Sequence, residues 1–300
     1  MMDQRQVRPA SSLHGELVRF IDSIRREELV DDAAAECELP KAELRTLLDV
    51  YLNEAFLGLG LIERKLAVGA RILEIGSGIG VLSSFLLSRG FDVTSVEPGA
   101  AGYGHMHALS AALSRQVPAV NYRPLPIPAE GLNVPEHGTF DLIFSVHVLE
   151  HILEIERSIS AMAGVLGAEG RMVHICPNYT VPYEPHFGIP LVPFAPRATM
   201  HLVRNVRTRY PGVWDGLNFI SARKVDRMAA DNGLAVEFES GVMGAFVRRL
   251  NRDSEFGSRQ TNFVMSAVAL LSRLGGQKIL DNWPARYATP MIFTLSHRRA

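Results

Sequence analysis

The residues of this chain with the clearest chemical potential are two carboxylates that bracket a glycine-rich turn. Glu74 sits inside the end of the apolar run 72–75, and glycines follow at positions 76, 78 and 80, with Ser77 between the first two. Glu97 then ends the next apolar run, 91–96. Glycines so placed let the backbone turn sharply and come close to a ligand. A carboxylate at the tip of the second strand can accept both hydroxyls of a ribose. A dinucleotide would call for Gly-x-Gly-x-x-Gly, with its pyrophosphate on the N-terminus of the following helix. The spacing here is Gly-x-Gly-x-Gly, and Glu74 would repel a pyrophosphate. An acid at that point suits a ligand that carries an ammonium and a sulfonium.

These groups need a strand, a tight turn and a helix to hold them. The run 72–75 reads as the strand, and apolar residues at 81, 82, 85 and 86 predict a helix over 81–88 that stops near Gly90. A second strand over 92–96 and a helix around 103–114 follow. A short third strand near 119–123 precedes a strand over 140–146. Apolar positions 152, 155, 159, 162 and 166 then give a helix near 150–165 one face to pack, and a strand over 171–176 comes next. Alternation of this kind implies a parallel sheet with helices on both faces. After Pro177 the pattern breaks, resuming with an amphipathic helix in 221–233, a strand over 234–238 and a last strand over 290–296. Residues 1–66 read as helices, with Leu17, Phe20, Ile21 and Ile24 at helical spacing and Pro40 at a helix start.

Glu74, the glycine triplet and Glu97 together resemble the opening of the class I S-adenosylmethionine-dependent methyltransferases, whose first motif typically reads Glu/Asp-x-Gly-x-Gly-x-Gly. The stretch Phe140-Asp-Leu-Ile-Phe-Ser145, continuing Val146-His-Val-Leu-Glu-His151, is similar to the fourth strand and the following helix start in the small-molecule branch. Leu166-Gly-Ala-Glu-Gly170, with the run 171–177, is similar to the turn and fifth strand. The resemblance implies an α/β fold, a doubly wound, seven-stranded, mostly parallel Rossmann-like sheet whose last strand is antiparallel. It implies an N-terminal helical cap over 1–66 and a methyltransferase domain over 67–300. Insertions 178–219 and 241–287 would leave the ends of the fifth and sixth strands, where ligands of open parallel sheets bind, and would serve the substrate.

The same resemblance implies S-adenosylmethionine as cofactor. Glu74 would face its ammonium, Gly76, Ser77, Gly78 and Gly80 would form the backbone wall, and Glu97 would hold the ribose. Ala129 and Glu130 are the candidates for the adenine, although Pro128 stands where the family usually has an acid. Ser145, Val146 and His147 would border the methionine half.

Methyl transfer from a sulfonium is an in-line displacement that depends on alignment, and a hydroxyl acceptor must also lose a proton to a base. Histidine titrates in the right range. Of His147, His151, His174, His186 and His201, His174 lies within a strand and reads as a buried, hydrogen-bonded core residue. His151 reads as support for a helix start. His147 is expected at the cofactor's edge, and His186 is the candidate base. His186 shares the stretch after the fifth strand with Tyr179, Tyr183 and an acid, a mixture that suits a polar acceptor held against aromatic walls. The other reading of that stretch is a proline-rich loop packed on the core.

Composition narrows the partners. The chain has 300 residues, of which 47% are hydrophobic, enough for one large domain with an appendage. Its formal net charge of −1 offers nothing to a nucleic acid, and the basic cluster Arg204, Arg207 and Arg209 is local. Two distant cysteines, Cys37 and Cys176, support neither a disulfide framework nor a zinc site, and no metal is expected. The N-terminus lacks a secretory core, and no apolar run approaches the roughly 18 residues of a membrane span, so a cytoplasmic protein is expected. The stretch 263–271, followed by Arg273, reads either as a core or cap helix or as an interfacial helix in weak contact with a lipid-linked acceptor. The expected function is methyl transfer to a small-molecule or glycan-type acceptor at oxygen. No Asn/Asp-Pro-Pro-Tyr/Phe stretch follows the fourth strand, which argues against amino-group methylation of nucleic-acid bases or protein glutamine. The alternatives are a non-catalytic, methyltransferase-like module that binds cofactor or partner, against which the intact acids and glycines count, and a nicotinamide-dependent oxidoreductase, which the glycine spacing disfavours.

Overall fold

Strand β1 (Arg71–Ile75) is buried along nearly its whole length, with Ile72 and Leu73 fully enclosed, as befits a strand covered on both faces. A computed structural model describes residues 10–99, 104–203, 212–252 and 276–298 of the chain. In it β1 pairs in parallel with β2 (Asp92–Val96) on one side and with β3 (Phe140–Val146) on the other. Next in sequence come β4 (Leu166–Cys176), a two-stranded hairpin of β5 (Tyr183–Glu184) and β6 (Ile189–Pro190), and an antiparallel pair of β7 (Leu234–Phe238) and β8 (Met291–His297). The main sheet has the order β2-β1-β3-β4-β8-β7. It is the mixed, mostly parallel Rossmann-like sheet that was expected.

The described residues fall into two compact units. One comprises the chain up to Val148 together with Glu156–His174; the other comprises Leu149–Ile155 with Ile175–Arg298. In the first, the helices α1 (Ala10–Asp22), α2 (Arg26–Ala34) and α3 (Lys41–Ile62) join the glycine-loop half. Pro40, which has no N–H to lose, stands at the N-cap of α3. Leu44, Leu48, Leu52, Ala55, Leu59 and Ile62 bury one stripe of that helix, against α4 (Val81–Ser88) and β3. Each such fully buried leucine or isoleucine contributes about 1.5–3 kcal/mol. Gly58 allows the approach, since a Cβ there would lie 2.6 Å from Leu82. Helix α5 (Gly104–Gln116), the short α6 (Val134–His137) and α7 (Ile155–Gly164) complete the helical set around these strands. Ile155, Ile159 and Met162 form the buried stripe that their spacing predicts.

The expected strand near 119–123 is not one, and the main sheet of the described residues has six strands rather than seven. Pro118 opens a single 3-10 turn, Asn121 turns left-handed at φ 49°, and Pro124, Pro126 and Pro128 supply no N–H. Leu125, between two prolines, makes the pairing alone: its N–H donates to Ser95 O at 2.8 Å and its carbonyl accepts from Glu97 N at 3.0 Å. The segment 166–170, expected as a turn, already belongs to β4.

In the second unit Asn178, fully buried, is the local organiser. Its Nδ2 donates to the carbonyls of Arg286 and Ala288, while Oδ1 accepts from the N–H groups of Thr180 and Ala222. The helix Ala222–Asp231 starts where Ser221 caps Lys224 N–H. Phe187, Leu191, Trp214 and Leu217 form an apolar cluster flanked by Tyr179 and Phe219. No helix among the described residues is long and apolar enough to cross a membrane. The arginines at 204, 207 and 209 and the stretch 263–271 with Arg273 lie outside the described residues.

Candidate functional site

The glycine turn is built as its spacing demands. Gly76, Gly78 and Gly80 have φ of 67°, 56° and 83°, left-handed values that L side chains rarely adopt. Gly80 caps α4, and a side chain there would have to push the Tyr122 ring aside, since a Cβ would fall 2.2 Å from it. Tyr122 in turn shares a 2.7 Å hydrogen bond with Ser77 Oγ. Over Gly78 lies the ring of Tyr51 from α3, 3.1 Å from where a Cβ would stand.

The two predicted acids flank this turn. Glu97 Oε2 accepts from Gly78 N–H at 2.9 Å, so the acid at the end of β2 reaches the middle of the loop. Burial raises its pKa, against the pull of the Gly78 and Gly99 N–H groups and of His107. Glu74 is buried and its Oε2 accepts from Ser83 Oγ of α4 at 2.5 Å. Burial pushes its pKa up to about 8; the Ser83 bond opposes the rise, and the charges of Glu97 and Glu54 add to it. Glu74 is therefore largely protonated at neutral pH in the ligand-free protein. A cation brought beside it would restore the carboxylate.

Other expected residues of this unit fall into place differently. Ala129 is buried in the 3-10 turn Ala129–Gly131, while the Glu130 carboxylate accepts from Ser158 of α7 at 2.9 Å. Ser145 is buried, and its hydroxyl shares a 2.8 Å hydrogen bond with His174 Nδ1. Burial drives His174 down to about 3, so its ring is the neutral core histidine that was expected. His147, just past β3, is half-buried and left-handed at φ 52°. Such backbone in a non-glycine residue clusters at working sites.

The second unit gathers another set. His186 Nδ1 lies 2.6 Å from Glu184 Oε1, and the same carboxylate accepts from Tyr179 O–H at 3.1 Å and from Phe187 N–H at 2.7 Å. Glu184 is fully buried, and His186 keeps about a third of its side chain exposed at 31%. Burial, then the charges of Glu184 and Glu150, holds the Tyr179 hydroxyl far above its ordinary range, so it stays a proton donor. Tyr183 pairs with Pro190 across the hairpin. His151 stands on the turn Leu149–His151, and its ring meets that of His186 edge-on with centroids 4.9 Å apart. His201 is exposed on a separate short helix.

Sequence reasoning missed several members. Glu184 reads in the sequence only as an acid in an aromatic stretch; it ends β5, and the turn that follows brings His186 back to its carboxylate, a contact that leaves no periodic signal. Ser83, Tyr122 and Tyr51 carry no motif; only the fold brings them to the glycines. The same holds for Asn218, whose Nδ2 donates to the carbonyls of Leu149 and Ile152 and whose N–H donates to that of Glu150.

The chain is similar to several known proteins. A family model described as a methyltransferase domain matches residues 41–238. The uncharacterized protein Rv1509 of Mycobacterium tuberculosis is 32% identical over 241 residues, covering 78% of this chain and 81% of that protein. A ubiquinone biosynthesis O-methyltransferase of Psychrobacter arcticus is 27% identical over 165 residues, 55% of this chain and 59% of its own length. Among solved structures, the CcbJ methyltransferase from Streptomyces caelestis is 16% identical with a TM-score of 0.46, covering 82% of this chain and 89% of that one.

Proposed function

The chain belongs to the methyltransferase-domain family and is an S-adenosylmethionine-dependent methyltransferase, and from that premise we propose that it methylates a small-molecule or glycan-type acceptor at oxygen. The observation that carries the oxygen assignment is the Glu184–His186 pair. A carboxylate on Nδ1 orients an imidazole and stabilises its charged form, which makes it an effective base for a hydroxyl proton. Tyr179 and Tyr183 beside it supply aromatic walls for a polar acceptor. The named activity of the distant Psychrobacter relative agrees with this choice.

With S-adenosylmethionine bound, the cofactor would supply its sulfonium methyl to the acceptor oxygen in line and leave as the neutral thioether, while His186 would take the hydroxyl proton. Glu74 holds the cofactor's ammonium, Glu97 its ribose, and Gly76, Ser77, Gly78 and Gly80 the wall against which it lies. Ala129 meets the adenine through its backbone, with Glu130 alongside. Ser145 and His147 border the methionine half. The insertions 178–219 and 241–287 take the acceptor, in a domain running from residue 67 to the end, with residues 1–66 as its cap.

The test has two stages. Calorimetry compares S-adenosylhomocysteine with NAD, and only the former should bind. Labelled methyl transfer into a fractionated cell extract then identifies the product, and a methyl group found on nitrogen or carbon would overturn the oxygen assignment.

A further inference from the structure

We propose that Glu150, His151 and His186 bind one divalent transition-metal ion of the zinc class. One donor atom from each of the three lies within 4.8 Å of a donor from each of the others. Two imidazoles and one carboxylate are the donors that suit zinc, nickel, cobalt or ferrous iron rather than magnesium or calcium.

Three further features mark this as a prepared site rather than a chance grouping. The turn bearing two of the ligands is fastened from outside: Asn218 bonds the carbonyls of Leu149, Glu150 and Ile152. The third ligand is fixed by a carboxylate behind it. Glu184 engages His186 Nδ1 at 2.6 Å and is itself held by Tyr179 O–H and Phe187 N–H. That arrangement makes Nε2 the ligating nitrogen, the carboxylate–histidine–metal pattern by which proteins orient such ligands. Finally, Glu150 and Glu184 are both fully buried, so the carboxylate ligand and the carboxylate behind His186 are both held out of bulk water.

Three protein ligands leave a coordination position for another oxygen, as in catalytic zinc sites. An acceptor hydroxyl placed there would ionise more readily. With the ion present His186 holds metal, and the ion assumes the activating role given above to imidazole. The metal inference rests on ligand geometry and requires no particular methyl acceptor, although it would replace His186 as the base.

The experiment uses the full chain, stripped with a chelator and dialysed. Zn²⁺ is titrated by calorimetry and Co²⁺ by visible absorption. Wild-type protein should take up one tight equivalent, with Co²⁺ giving the intense visible bands of a low-coordinate site. His151→Ala and His186→Ala should each weaken binding at least tenfold. Glu184→Gln, which touches no metal, should weaken it by about 10–100-fold and shift the Co²⁺ bands, a change that a merely structural role would not produce. His201→Ala, at an exposed histidine, should bind as wild type does. Thermal midpoints of the metal-free variants report whether each folds. Absence of a tight equivalent in the wild type, or wild-type affinity in folded His151→Ala or His186→Ala, would overturn the proposal. A tight equivalent in a wild-type protein that places no methyl group on oxygen would support the metal site and count against the acceptor reading alone.

Discussion

Glu97 at the tip of β2 accepts the backbone N–H of Gly78 at 2.9 Å, so the acid expected to hold the ribose is tied to the centre of the glycine turn. Its position is set before any ligand arrives, because the bond fixes both the carboxylate and the loop. Hydrogen bonds to a charged group contribute about 1.5–3 kcal/mol. Glu97→Ala should therefore weaken S-adenosylhomocysteine binding by roughly 10–100-fold, measured by calorimetry. Gly78→Leu, whose side chain would run into Tyr51, should abolish it. Unchanged affinity in both variants would remove the cofactor from this turn.

Glu74 predicts a proton coupled to binding. Its carboxyl is raised from 4.5 to about 8, chiefly by burial. Between those values the folded, ligand-free protein holds a proton that the unfolded chain gives up, so this group's stabilising contribution is complete below about pH 4.5 and is lost as pH rises through 8. The ligand-free melting temperature should fall across that window, and Glu74→Gln should flatten the slope. A cofactor ammonium reverses the preference. Binding at pH 7 should release a proton, visible as a dependence of the calorimetric heat on buffer ionisation enthalpy. A heat that is independent of buffer would place the ammonium elsewhere.

Two glycines separate strain from collision. Gly80 and Gly69 have φ of 83° and 76°, but a Cβ on Gly80 meets the Tyr122 ring at 2.2 Å, whereas on Gly69 it meets nothing within 4 Å. Gly69→Ala should cost about 1 kcal/mol from backbone strain alone, and Gly80→Ala should cost about 1–3 kcal/mol more as the ring is displaced. Urea midpoints compare them. Equal losses would show that Tyr122 yields without cost.

His186 and Glu184 predict a loss confined to turnover. His186→Ala should lower the rate by about 10²-fold or more while S-adenosylhomocysteine affinity stays within about twofold. Glu184→Gln preserves shape and removes the carboxylate that orients His186, so it should lower the rate while cofactor affinity stays within about twofold. Tyr179→Phe, which keeps that carboxylate in place, should lower the rate less. Wild-type rates in His186→Ala would reject its role at the acceptor.

The parts of this protein that are local in sequence could be read from it. The β1–turn–α4–β2 unit follows from apolar spacing and three glycines, and its observed bounds, Arg71–Ile75, Val81–Ser88 and Asp92–Val96, fall where the pattern puts them. His174 was legible for the same reason, since a histidine amid Met172, Val173 and Ile175 has nowhere to go but the core. The segment near 119–123 misled because its β-branched and aromatic residues look like a strand, while the prolines beside them remove the donors a strand needs. The grouping of Glu150 and His151 with His186 could not be read at all. It depends on Asn218 and on a hairpin that returns the later residue to the earlier turn, and neither leaves a periodic trace.

The lone rung made by Leu125 has a further effect on β2, which borders the sheet. Exposed borders invite stacking by other molecules, and cells contain many extended segments able to add themselves there. Here Pro124 and Pro126 flank the covering residue and present no N–H to a newcomer. The flank beside the ribose acid is thus sealed against lateral growth by a cap one residue wide.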